Sequence, residues 1–433
     1  MLPERWKEIV RPYYLRWFHF PLRGGKPSCF DQPWEYPALP LTASALQGVA
    51  QEERHKPSFL FLPMSDWHSR LQRPQHLAMT LANRGHACYF LNPHLGRQFP
   101  RVYALEPDAR AVSIAPRITE LHVRVPAEPV YHHRLLTRRE SMQLADSISE
   151  LAAIESSSVV QIVSFPSWGE AAIQLRRRHG WPIIYDCHDL LSGFGNVAHK
   201  IVEAEQPLLS DSDFVLFSSV WLERYHRCRS SIPDGRTALL RNAAHPQFLQ
   251  TGVTKRADHR TTAGYFGALD RWFDIDAVRR SAEFHPDVRF QLIGRVEFDA
   301  VHSLRALANV ELTGEVPHAA LPSLLAGFDV GLIPFQVNDL TRAANPIKLY
   351  EYFSAGIPVV STRLPEVEEF GSLVYVADTP DEFASCVRTA IAEKDPLVRA
   401  QRKAAAAAET WEHRATCLID IARGLLSTPT PVD

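Results

Sequence analysis

The chain alternates short apolar runs with segments of helical periodicity, and it does so twice. The first series holds Phe59–Leu62, Ala87–Leu91, Val159–Phe165, Ile183–Cys187 and Phe214–Phe217, with Pro74–Ala82 reading as a helix that ends at Gly85. The second holds Ala263–Phe266, Val288–Ile293, Val310–Leu312, Val330–Ile333, Val359–Ser361 and Val374–Val376. Apolar runs this short, set between helical segments, are strands of parallel βαβ units, and right-handed crossovers wind such units into open sheets covered on both faces. The polar stretch Gln250–Arg260 between the two series reads as a linker. Two tandem α/β domains place a ligand cleft between them, at the C-terminal ends of both sheets. A length of 433 residues fits that division.

Charge and cysteine usage narrow the function. With 47 basic and 49 acidic residues the net charge is −2, which provides no field for gripping nucleic acid. The six cysteines are scattered without a CxxC pair, and Cys88 and Cys187 fall inside strand-like runs, so neither disulfides nor a zinc site is expected. The opening MLPERWKEIV lacks the apolar core of a signal peptide, and no run approaches the ~20 apolar residues of a membrane span. A cytoplasmic protein is expected. Residues 1–55 differ from the rest: Trp6, Tyr13, Tyr14, Trp17, Phe18 and Phe20 interleave with Arg5, Lys7, Arg11, Arg16 and Arg23, followed by prolines up to Pro40. Two readings stand, an arm packed on the body of the protein and a peripheral contact with anionic membrane at its inner face.

The most informative segment is Leu340–Val360, LTRAANPIKLYEYFSAGIPVV. Asn345 suits an N-cap and Pro346 the first helical position, so a helix is expected to start there and to end near Gly356. Free amides in the first turn, with Lys348 among them, suit a diphosphate. Glu351, three residues on and on the same face, could accept hydrogen bonds from ribose hydroxyls. Only eight lysines accompany 39 arginines, so a lysine here is not background. The plainer alternative is a capped surface helix with an i, i+3 pair.

PIKLYEYFSAGIPVV strongly resembles the donor-binding element of GT-B glycosyltransferases, particularly family-4-like enzymes of bacterial surface polysaccharide synthesis. Other segments agree in order: FLPMSDWHSRLQRPQHLAMTLANRGHACYFLNP resembles the first strand, acceptor loop and first helix, and IIYDCHDLLSGF the mid-domain strand and active-site loop. FVLFSSVWLERY and LLRNAAHPQFL resemble the last strands of the N-terminal domain, and GYFGALDRWFDIDAVRRSAEFHPDVRFQLIG the opening of the nucleotide domain. The resemblance spans about residues 57–425. It implies an α/β GT-B fold, two Rossmann-like doubly wound domains facing across a cleft. The expected partition is an arm (1–55), an acceptor-binding domain (56–255), a nucleotide-sugar domain (256–405) and a terminal helix (406–433) crossing back to the first domain.

By that resemblance Lys348 contacts the donor diphosphate and Glu351 the ribose, within a donor set of Gly267, Arg271, Arg295, Asn345, Pro346, Lys348, Leu349 and Glu351. The family pattern has two acids eight positions apart; Glu351 is the second, but Ala343 occupies the place of the first. The basic pair usual after the first strand of the nucleotide domain is displaced too. Ala268 and Phe273 stand in those positions, with Arg271 between them and Arg295 the next cation.

Sugar transfer must stabilise a leaving diphosphate and remove a proton from an acceptor hydroxyl. A helix end with Lys or Arg does the first without Mg2+, so no metal is expected to be essential. Asp211-Ser212-Asp213 spells a DxD but sits in the turn feeding Phe214–Phe217. His188 and Asp189, at the end of the strand Ile183–Cys187, are the candidate catalytic pair; capping the next helix is the alternative. Asp66 and Trp67 could orient the acceptor, and Arg73 could anchor an anionic group on it. Gly193–Ala198 spells GxGxxA too far past its strand to bind a nicotinamide cofactor, and the remaining histidines show no ligand spacing. The expected function is transfer of a sugar from a UDP-, GDP- or dTDP-linked donor to a glycan, lipid-linked or small-molecule acceptor, with retention. A GT-B nucleotide-sugar epimerase and an inactive GT-B scaffold are the rivals.

Overall fold

The computed structural model describes residues 56–68, 71–95, 109–125, 131–152, 158–249 and 260–427. The segment 1–55 and the linker residues 250–259 lie outside the described residues. The first sheet has eight strands: β1 (Ser58–Leu62), β2 (Cys88–Leu91), β3 (Ala109–Ala115), β4 (Ile118–Val123), β5 (Val159–Val163), β6 (Ile183–Cys187), β7 (Phe214–Phe217) and β8 (Thr237–Leu239). Their order is β3-β4-β2-β1-β5-β6-β7-β8, and every pairing except β3 with β4 is parallel. β1, β2, β5 and β6 are buried along their whole length, as strands covered on both faces must be.

Strands β3 and β4 are not among the expected apolar runs. In ITELHV, Leu121 and Val123 enter one core while Glu120 and His122 alternate onto the opposite face, so no continuous apolar run marks the strand. β4 returns antiparallel along the preceding β3, Val112 opposite Glu120, which takes a short connection and no crossover helix.

The second sheet is wholly parallel: β9 (Thr262–Phe266), β10 (Arg289–Ile293), β11 (Val310–Gly314), β12 (Val330–Ile333), β13 (Val359–Thr362) and β14 (Val374–Ala377), in the order β11-β10-β9-β12-β13-β14. The winding reverses at β9, between β10 and β12, and in the first sheet at β1, between β2 and β5. Crevices at the C-terminal ends of these strands are where such sheets bind ligands.

The last helix, Trp411–Ser427, buries Trp411, Ala415, Leu418, Ile419 and Ala422 in the same cluster as Phe59, Phe61 and Phe90 of the first sheet. Arg84 donates to Thr416 Oγ1 at 2.6 Å and Arg414 to the Arg241 carbonyl at 2.8 Å, so the helix ties back to the first domain. A second junction forms where the short helix Asp339–Ala343 meets the first domain. Ala343 lies in the first domain's core, with Leu340 packed against it, and Ser219 Oγ donates to the Ala343 carbonyl at 2.7 Å. Glu366 completes it, accepting from the Val220 amide (2.8 Å) and from Arg241 Nε (2.6 Å).

Candidate active site

In the second domain the centre is the helix Ile347–Ala355, which follows the short helix Asp339–Ala343. Its N-cap is Pro346 (φ −71°, ψ 114°), not Asn345 as the sequence pattern suggests. The Asn345 side chain is held elsewhere: its Oδ1 accepts from the Asn242 amide (2.8 Å), and its Nδ2 donates to Glu366 Oε2 (3.0 Å) and the Tyr350 hydroxyl (3.1 Å). The Asn345 carbonyl accepts from Asn242 Nδ2 at 2.7 Å. Asn345 is thus a clamp between the domains. The helix closes as expected at Gly356, in the left-handed region at φ 70°, where a residue without Cβ is favoured.

Lys348 projects between two rings, its Nζ 4.7 Å from the Phe335 centroid and 5.4 Å from the Tyr265 centroid. Among the described residues no carboxylate comes within 4 Å of this ammonium. Burial pushes its pKa down to about 8, only partly countered by the charge of Glu351. Directly beside it runs the backbone of Gly267 (φ 141°), where a Cβ would stand 3.3 Å from Lys348 Cε. The next loop approaches closer still: at Gly294 (φ 151°) a Cβ would lie 1.8 Å from the Gly267 carbonyl oxygen, so only glycine fits. Glu351 is buried one turn beyond Lys348, with His318 Nε2 at 3.6 Å.

The remaining donor candidates divide. Arg271 and Arg295 sit on neighbouring loops, joined by the Leu269 amide donating to the Arg295 carbonyl at 3.0 Å. Arg271 is exposed with its guanidinium 5.5 Å over the Phe298 ring, and Arg295 is exposed and paired with Glu297 at 3.0 Å. The Leu349 side chain is in the core of the second domain, and its amide is bonded to the Pro346 carbonyl at 3.1 Å. Ala343, at the place of the family's first acid, is enclosed by the first domain. A longer acidic side chain there would have to enter the apolar cluster that Ala343 occupies, so the departure from the pattern has a packing reason.

On the other side, His188 leaves the end of β6 largely buried. Its Nδ1 donates to the Asp186 carbonyl at 3.0 Å, and its Nε2 lies 3.7 Å from Asp189 Oδ2. Burial raises the Asp189 carboxyl, with the charges of His188 and Arg73 opposing. Arg73 contradicts its expectation. It is buried, gripping Asp186 through Nε (3.0 and 2.9 Å) and Nη2 (2.8 Å), while Nη1 donates to Asn242 Oδ1 (3.2 Å) and the Arg241 carbonyl (3.3 Å). No acceptor can reach a guanidinium so occupied. Trp67 sets its ring edge-on against Phe90 (5.0 Å), and Asp66 is buried with Oδ1 accepting from the His68 amide at 2.6 Å.

Arg73 has a consequence for the whole site. Asp186 neighbours His188, Arg73 joins Asp186 to Asn242, and Asn242 holds Asn345 just ahead of the Lys348 helix. One continuous polar chain therefore links the two candidate halves. Its members are distant in sequence, and the Arg-Pro pair at 73–74 shows only a helix start, so Asn242 and Glu366 carry no local signal. Of the other motif fragments, Asp213 Oδ2 accepts from the Ile183 amide (2.7 Å) and Arg176 (3.3 Å), a structural task. Gly193 lies against Leu340, with no room for a dinucleotide.

Comparison with known proteins agrees with this architecture. Residues 72–243 match the model of the glycosyl transferase 4-like domain, and residues 271–420 match that of the glycosyl transferase-like family. The chain is 25% identical over 254 residues to the protein named teichuronic acid biosynthesis glycosyltransferase TuaH of Bacillus subtilis (strain 168), covering 53% of this chain and 64% of that protein's length. Among solved structures it is similar to a sucrose-phosphate synthase from Thermosynechococcus elongatus (TM-score 0.66, 15% identity, 86% of this chain and 99% of that one). It is also similar to HepE of Anabaena, solved with UDP and glucose (TM-score 0.60, 16% identity, 86% of this chain and all of that one, 100%). With both domain models matched in chain order on a fold shared with these structures, the chain belongs to the GT-B, family-4-like glycosyltransferases.

Proposed function

We propose that the protein transfers a sugar from a nucleotide-diphosphate donor, held by the second domain, to an acceptor hydroxyl presented by the first. The observation that carries this reading is Lys348: a cation without a carboxylate partner among the described residues, in the first turn of a helix, against the backbone of Gly267. A diphosphate supplies the missing counter-charge, and the helix dipole adds to it. HepE, solved with UDP and glucose, supports a nucleotide-sugar ligand. Glu351, three residues on, is placed to accept from ribose hydroxyls, and Arg271 and Arg295 can swing onto the phosphates from the exposed rim.

In the transfer, the acceptor oxygen bonds to the anomeric carbon as the bond from that carbon to the diphosphate breaks. The acceptor proton passes to His188 Nε2, and the new diphosphate charge falls on Lys348 and the helix end. Asp189 faces the imidazolium so formed. Charge stabilisation of this kind needs no divalent ion at the diphosphate. Retention is the outcome the family resemblance favours, which requires the acceptor oxygen to attack from the face that the diphosphate leaves, and the match to a protein named for teichuronic acid biosynthesis supports a glycan acceptor. No helix among the described residues is long and apolar enough to cross a membrane.

Calorimetry against UDP, GDP and dTDP and their sugars tests the reading. Micromolar to millimolar binding of one nucleotide is expected, weakened by about 1–3 kcal/mol in Lys348→Ala, the scale of a charge-assisted bond. Absence of binding to the whole panel would reject the transferase in favour of a scaffold. Turnover of the sugar nucleotide to its epimer without acceptor would identify an epimerase.

A further inference from the structure

Because β4, β2 and β1 are parallel neighbours, the loops after β1 and β2 and the end of β4 meet on one rim of the first domain. Five metal-ligating side chains converge there: Asp66 and His68 from the first loop, His94 from the second, and Glu120 and His122 from β4. His68 Nε2 lies 3.1 Å and His122 Nε2 3.0 Å from Glu120 Oε2, and His94 Nε2 lies 3.0 Å from Asp66 Oδ2. One ligand atom each from Asp66, His68 and Glu120 can be chosen so that all three fall within 4.8 Å of one another. Tetrahedral ligands at zinc distances stand about 3.3 Å apart, so small side-chain adjustments close the set on one ion.

The hydrogen bonds around the cluster are what give it the form of a coordination site. Each carboxylate has one oxygen tied outward and the other turned in. Asn92 Nδ2 donates to Glu120 Oε1 (2.9 Å) and the His68 amide to Asp66 Oδ1 (2.6 Å), while Oε2 and Oδ2 face imidazoles. Outer partners of this kind orient metal ligands. Glu120 is fully buried, whereas His68 and His94 retain 21% and 34% exposure, which leaves an entry path. A second trio, Cys187, Glu205 and His226, lacks both properties: it is sealed in the core, and Glu205 already accepts the Tyr185 hydroxyl at 2.6 Å.

We propose that Asp66, His68 and Glu120, assisted by His94 and His122, bind a single Zn2+ ion that fastens the Asp66–His68 loop to the sheet. Mixed imidazole and carboxylate donors select zinc over Mg2+ or Ca2+, which take oxygen ligands. The site is separate from the diphosphate pocket, and it rests on the proposed function only in that the loop is on the acceptor side.

The test uses the full chain without a histidine tag, stripped with chelator. It is titrated with ZnCl2 by calorimetry and with CoCl2 by visible absorption. A single saturable Zn2+ site and the intense absorption of low-symmetry Co2+ are expected, with affinity reduced about 100-fold or more in both His68→Ala and Asp66→Asn. Glu120→Gln should abolish binding; should that buried substitution prevent folding, the two loop variants still decide. Absence of saturable binding, or binding unchanged in both loop variants, overturns the proposal and leaves a proton-linked ion-pair cluster. Titration of the same samples with UDP, GDP and dTDP reads the transferase hypothesis separately, so either reading can fail alone.

Discussion

Replacing Arg73 with methionine tests the claim that the polar chain between the domains is structural. Arg73 makes three short buried bonds to Asp186, a buried bond to Asn242 and a part-buried one to the Arg241 carbonyl. Removing it strands a carboxylate of zero exposure, and breaking a buried pair from one side costs about 3–5 kcal/mol. If the first domain melts as a unit, that is a fall in Tm of about 6–20 °C, readable by calorimetry. The pH dependence supplies a sign. In the native protein burial raises the Asp186 pKa, but the charges of Arg73 and His188 and the Arg73 hydrogen bonds together outweigh it, so the net shift is downward. The pair then adds stability above the unfolded pKa of about 3.9, and this is lost as pH falls through the lower folded value. In Arg73→Met burial, the largest of these effects, is opposed only by the His188 charge, so the folded pKa rises and the folded variant binds a proton more readily. Its deficit relative to wild type should shrink as pH falls from 7 towards 4. Adding Asp186→Asn should also recover part of the loss at pH 7. A variant as stable as wild type, or a deficit that grows on acidification, would refute the reasoning.

Nucleotide binding should weaken as pH rises through about 8, because the depressed Lys348 must be protonated to meet a diphosphate; titrations in buffers of different ionisation enthalpy should show proton uptake on binding. A flat profile between pH 7 and 9 would remove Lys348 from the contact. Gly294→Ala should fail to fold or lose several kcal/mol, since its Cβ would overlap the Gly267 carbonyl, and circular dichroism melting reads this directly. Asn345→Ala should lower Tm by the loss of about 2 kcal/mol as Glu366 and the Asn242 amide lose a partner, with the first-domain core intact by near-ultraviolet dichroism.

The fold was legible where burial is two-sided. β1, β5, β6, β9, β12 and β13 are runs of apolar residues because both faces are covered, and such runs cannot be mistaken for solvent-facing segments. β4 escaped because Glu120 and His122 interrupt it, and β3 because an antiparallel return carries no helix to announce it. The helix Ile347–Ala355 was legible from its punctuation, Pro346 before and Gly356 after. Its cap was misassigned because Asn345 has three partners that lie 103, 21 and 5 residues away, and no local rule weighs those against an N-cap. Arg73 likewise reads as an acceptor anchor or a helix start until Asp186, 113 residues further on, is brought against it.

Periodicity and motif order alone thus sufficed for two doubly wound sheets, their family, and the helix that carries Lys348 and Glu351. These are local properties, repeated within a few turns of chain. The burial of Arg73, the clamp at Asn345, the enclosure of Ala343 and the meeting of Asp66, His68 and Glu120 arise only when separate strand ends share one rim or one interface. Buried charges depend on partners, and it is the tertiary fold that supplies them.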